Sequence, residues 1–91
     1  MTETDLDTIP RITPGYRLQW EAVQDCHVLL YPEGMVQLNG PAGAILEQVD
    51  GRRTLAEVIS TLEQAFGEDD LSADVLEFVS EAQERGWIRF G

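Results

Sequence analysis

The chain has 91 residues, of which 17 are acidic and 6 are arginine, with no lysine, for a formal net charge of −11. One domain with a single modest core fits this length, since a chain of this size buries only about 60 to 70 % of the surface its unfolded form exposes. The charge repels phosphate polyanions and disfavours nucleic acid and anionic membrane as partners, the lone cysteine excludes an internal disulfide, and no apolar run is long enough to span a bilayer.

Residues 1–9 carry Glu3, Asp5 and Asp7 with little to bury, and are expected to form a mobile acidic tail ahead of a single domain at 10–91. They lack the basic flank and apolar stretch of a secretory signal, so the expected location is cytoplasmic. From Tyr16 to Trp20 apolar residues alternate, with Tyr16, Leu18 and Trp20 on one face and Arg17 and Gln19 on the other, the period of a half-buried strand. Cys26 to Tyr31 is apolar at nearly every position, as in a central strand covered on both faces. Tyr31-Pro32-Glu33-Gly34 then supplies hairpin chemistry, with proline preset in φ and glycine tolerant of a positive one. In the third strand Val36 and Leu38 share one face while Met35, Gln37 and Asn39 share the other, so this strand is the expected exposed edge.

Helices follow. Asn39 or Gly40 can cap a first helix with Pro41 at its first position, Ile45, Leu46 and Val49 on the buried face, and a stop at Asp50-Gly51. A capping box, Thr54 with Glu57, opens the second, whose apolar stripe is Leu55, Val58, Ile59, Leu62 and Phe66 before Gly67. The third starts at Ser72, with Leu71 and Leu76 placed as a hydrophobic staple, and continues through Val75, Phe78, Val79 and Ala82 to Gly86. Trp87 to Phe90 forms a terminal strand or an extended tail. Three strands followed by three helices predict an α+β fold with the helices against one face of a small antiparallel sheet.

The chain offers little for covalent chemistry. Cys26 and His27 are adjacent in a predicted strand, so their side chains point to opposite faces and cannot form a dyad. Two potential His and Cys ligands are too few for a zinc or iron-sulfur site, and no metal or other cofactor is expected. Glu68, Asp69 and Asp70 read as a solvated loop that favours the following helix start. A DNA-reading third helix is excluded by Asp74, Glu77, Glu81 and Glu84 against Arg85 alone. Asp70-Leu71-Ser72 has the wrong order for a carrier protein's prosthetic-group serine. What remains is the edge strand, which can accept an extended peptide as an added strand or be covered by the chain itself.

Leu29 to Asn39 (LLYPEGMVQLN), Ala44-Ile45-Leu46, Asp50-Gly51, Thr54 and Gly86-Trp87 together resemble the PqqD family of pyrroloquinoline quinone biosynthesis, over about Arg17 to Trp87. Val49 stands where that family carries a cysteine. The resemblance implies a winged-helix-like fold and a non-enzymatic peptide chaperone. In that family the protein binds the precursor peptide PqqA and presents it to PqqE, a radical S-adenosylmethionine enzyme that cross-links a glutamate and a tyrosine. Carried onto this chain, the peptide adds antiparallel to Met35, Val36, Gln37, Leu38 and Asn39, with Leu76, Val79 and Gln83 lining the groove. The acidic helical face opposite the edge is the expected contact with the enzyme. The alternative is an acidic winged-helix module acting through another protein partner or through self-association, as a monomer or a strand- or helix-exchanged dimer.

Overall fold

A computed structural model describes residues 6–90, in the order β1 (Pro10–Ile12), β2 (Arg17–Glu21), β3 (Cys26–Tyr31), β4 (Gly34–Gln37), α1 (Gly40–Glu47), α2 (Leu55–Phe66), α3 (Ser72–Glu84) and β5 (Ile88–Phe90). Strands β2, β3 and β4 form an antiparallel sheet with β3 in the centre, as its unbroken apolar run requires. Val28 and Leu29, on opposite faces of β3, are both fully buried. Leu29 is flanked by Leu18 and Val36 and faces the helices, where Leu46, Leu55, Val58, Val79 and Ile88 complete one core. Val28 sits on the other face, between Gln19 and Gln37 of the neighbouring strands. The Gln37 side-chain amide reaches on to Gln24 in the β2–β3 turn.

The expected acidic tail falls partly on residues 1–5, outside the described part; Leu6 and Thr8 accept backbone hydrogen bonds from Ala56 and Leu55 at the start of α2. Strand β2 follows the alternation of the sequence, shifted by one residue, and β3 spans the expected apolar run. A further sheet was not legible: β1 pairs antiparallel with β5, aligning Pro10 with Phe90 and Ile12 with Ile88. Its outward residues, Arg11 and Arg89, stand directly opposite each other. Thr13 reinforces the closure, its hydroxyl donating to the Gly86 carbonyl (2.6 Å) and its amide to that of Trp87 (3.0 Å).

Each helix end has a local cause. Asn39 caps α1, its Oδ1 accepting from the Ala42 amide at 2.8 Å. That helix ends at Glu47, before the expected Asp50-Gly51; Val49 is nonetheless buried. Asp50 instead builds the connecting turn, its Oδ1 accepting from the amides of Arg52 and Arg53 (2.9 and 3.0 Å). The Thr54–Glu57 capping box is complete, and Gly67, at φ 63°, closes α2. Phe66 does not join the buried stripe: it is 56 % exposed, because the last turn of α2 runs past the core. At α3, Leu71 rather than Ser72 occupies the cap position and has no side-chain bond to give; Glu63 of α2 accepts its amide instead, at 3.0 Å.

One close approach fixes α1 on the sheet. The His27 ring lies against Gly43, so that a β-carbon there would come within 2.6 Å of Nδ1 and 3.0 Å of the histidine's own Cβ. The ring is held on its other side by Trp20, edge to face at 5.0 Å.

Three outcomes are expected. Gly43→Ala gains about 1 kcal/mol of helix propensity but displaces His27, for a net destabilisation of about 1 to 2 kcal/mol in denaturant melts. Arg89→Glu turns a like-charged cross-strand pair into an opposite one and raises stability by about 0.2 to 1 kcal/mol. The amides of Arg53 and Arg52 hold the Asp50 carboxyl below its ordinary value of 3.8. A carboxyl lowered in the folded state stabilises the fold above that ordinary value and ceases to do so as pH falls through the lowered one. Carbon-detected NMR titration of Asp50 is expected to give a midpoint below 3.8.

Candidate functional site

The outer side of β4 has no strand partner among the described residues. Which of its backbone groups face outward follows from the ladder. The Leu38 amide donates to the carbonyl of His27, directly opposite, at 3.0 Å, so this pair is a hydrogen-bonded one. Narrow and wide pairs alternate in an antiparallel ladder, so Val36 with Leu29 and Gly34 with Tyr31 also point their N–H and C=O groups inward. Met35 and Gln37 therefore direct theirs away from the sheet.

The edge is short for a definite reason. Asn39, next in the outward series, gives its carbonyl to the Gly43 amide (3.0 Å) and its side-chain oxygen to the Ala42 amide. Both donors belong to α1, so Asn39's acceptors are already engaged, leaving Met35 and Gln37 as the residues with a complete outward donor and acceptor set. At the other end the edge stops at the Pro32-Glu33 loop, where Tyr31 faces Gly34. Met35 is 49 % exposed, Gln37 is exposed and Val36 is half-buried against the core, while Leu38 is buried.

The residues expected on α3 share one helical face but not one environment: Val79 is buried in the core, Leu76 is half-buried and Gln83 is exposed. The first turn of α3 instead borders a groove of about 620 Å³ whose other walls are α1 and α2, lined by Pro41, Ala44, Leu62, Phe66, Leu71 and Val75. Sequence reasoning missed this groove. The available signal was Phe66's position as the final residue before Gly67, at the end of its stripe rather than within it.

Cys26 and His27 lie on opposite faces of β3 and form no pair. His27 is occupied by Gly43 and Trp20, with Glu47 Oε2 at 3.5 Å from Nε2. Among the described residues no group of three or more His, Cys, Asp or Glu side chains is placed to hold a metal ion, and no helix is long and apolar enough to cross a membrane.

The protein family described as coenzyme PQQ synthesis protein D (PqqD) matches residues 26–88. The chain is 55 % identical over 89 residues to a PqqA binding protein of Azotobacter vinelandii, covering 97 % of both chains. It is 47 % identical, with the same coverage, to a PqqA binding protein of Pseudomonas aeruginosa. Among solved structures it resembles the PqqD truncation of Methylobacterium extorquens PqqCD, a functional, stand-alone recognition element for ribosomally synthesized and post-translationally modified peptides. That likeness has a TM-score of 0.75 at 33 % identity and covers 91 % of this chain and 89 % of the other. PqqD from Xanthomonas campestris gives a TM-score of 0.53 at 30 % identity, covering 91 % of this chain and 94 % of that one.

Proposed function

The chain belongs to the PqqD family of coenzyme PQQ synthesis proteins, and we propose that it binds the precursor peptide PqqA as a strand added to the outer edge of β4 and presents it to PqqE. Relatives named for PqqA binding, and the likeness to a peptide recognition element, support the ligand. The observation that carries the location is the pair of outward backbone sets at Met35 and Gln37, beside an otherwise committed Asn39.

Magnitudes set the division of labour within such a complex. Two residues, each offering one N–H and one C=O, support ladder bonds that contribute about 0.5 to 1.5 kcal/mol apiece, or roughly 2 to 6 kcal/mol together. Micromolar binding needs about 8 kcal/mol, and a flexible precursor also loses ordering entropy. The backbone edge thus aligns the peptide, and its side chains supply the balance. On this reading alternate peptide residues lie along the face of Val36 and Leu38, and the half-buried Leu76 is assigned to meet them with apolar surface. Val79 supports that surface from within, and Gln83 supplies an amide further along the same face of α3.

The protein's part is binding rather than bond-making. Presentation raises the effective concentration of the peptide at PqqE, provided that a different surface meets the enzyme.

Calorimetry with synthetic PqqA tests the edge. Gln37→Pro removes the outward amide and fixes φ, and is expected to weaken binding about tenfold or more, while Gln37→Ala, which keeps both outward groups, stays within about threefold. Equal affinities for the proline variant and the parent, with unchanged circular dichroism, would remove strand addition from β4. For presentation, PqqE added to the labelled complex is expected to leave the Met35 and Gln37 amides at their peptide-bound positions; return to the free positions would mean competition instead.

A further inference from the structure

We propose that the surface where α1, α2 and α3 meet is a second docking site, for a protein segment that presents a bulky apolar side chain between arginine or lysine residues. The site goes beyond the strand edge and stands whether or not β4 takes a peptide.

Its shape is concave and its lining apolar. Beside the groove of about 620 Å³ lies a second hollow of about 390 Å³, and the two share Gly40, Ala44, Leu62 and Phe66. The hollow extends to Trp20. Together they form a track from Leu71 at the cap of α3, over the first turn of α1, to β2. Phe66 and Trp20 stand along it 56 % and 52 % exposed, which leaves two large aromatic side chains on one continuous surface. Phe66 sits at the junction, in both linings. It has the stripe position of a core residue and yet faces solvent.

Charge selects the occupant. The carboxylates lining the track are Glu68 and Asp74 at the α3 end and Asp25 and Glu47 at the sheet end. None of the chain's six arginines lines either hollow. His27, beside Glu47, also lines the second hollow, and an apolar floor with four carboxylates and no arginine attracts cationic apolar segments and repels anionic ones. A second copy of this chain, at net −11, meets that repulsion, and the chain's own residues 1–5, with Glu3 and Asp5, are acidic as well. The fitting partner is therefore another protein, through a basic amphipathic segment whose apolar side chain packs on Phe66 and Ala44.

The test uses a synthetic amphipathic helix of leucine and arginine as probe, with a leucine–glutamate helix of equal length as control, titrated into isotope-labelled protein. Amide shifts are expected at Ala44, Phe66, Leu71 and Val75 with the arginine probe and not with the control. Phe66→Ser leaves the charge unchanged and removes the apolar contact, so its affinity for the probe is expected to fall about tenfold or more, with Phe66→Leu restoring most of it. Gln37→Pro is expected to leave probe binding as it is, which separates this site from the β4 edge. An unaltered affinity in Phe66→Ser would show attraction by charge alone and overturn the proposal. So would probe shifts confined to Met35 and Gln37, or a concentration-dependent dimer in light scattering whose formation moves the Phe66 amide.

Discussion

Between the last ladder bond of β4 and the first bond of α1 there is no spare residue. Leu38 closes the sheet through His27, and Asn39 opens the helix through Ala42 and Gly43. This abrupt change from one hydrogen-bonding pattern to the other sets the direction in which α1 leaves the sheet and brings Gly43 over the His27 ring. It also ends the free edge. A longer connection would lengthen the strand available to a ligand but would release α1 from β3, and with it Ile45 and Leu46 from the core. The exposed edge and the packed helix are thus two results of one constraint.

The features legible in the sequence are those with local causes. The apolar run of β3, the Pro-Glu-Gly hairpin, the Thr54–Glu57 box and the glycine after α2 each depend on residues within a few positions, and each stands where its chemistry places it. What was not legible depends on distant partners. Pro10–Ile12 is three residues with a proline at its head, and it becomes a strand only because Ile88–Phe90 lies beside it. Phe66 satisfies the helical period but runs past the material that would cover it. Periodicity assigns a residue to a face and says nothing of how far the neighbouring element extends.

The candidate edge shows the same division. The segment 35–39 could be chosen from alternation and the hairpin, and β4, which holds its first three residues, lies at the end of the sheet order. The alternation of inward and outward backbone groups needed the register, and the engagement of Asn39 with α1 needed the helix start. Charge was countable from the start, but its distribution was not. Arg11 and Arg89 share the small terminal sheet, with Arg11 close to the turn that carries Arg52 and Arg53, while the track around Phe66 has four carboxylates and no arginine in its lining. A uniform count of −11 therefore resolves into a molecule whose arginines gather partly at the terminal sheet, away from an acidic apolar flank.

The pairing of β1 with β5 bears on how the molecule comes into being. Ile88 is 2 % exposed and belongs to the same core as Leu29 and Leu55, and Thr13 finds its acceptors at Gly86 and Trp87. A ribosome that has delivered α1, α2 and α3 has still not delivered the strand that closes the core, so a nascent chain stopped short of β5 leaves Ile12 and its neighbours in water. Non-local pairing of this kind adds to the chain separation that folding must bridge. Local elements can form during synthesis, but closure waits for residue 90.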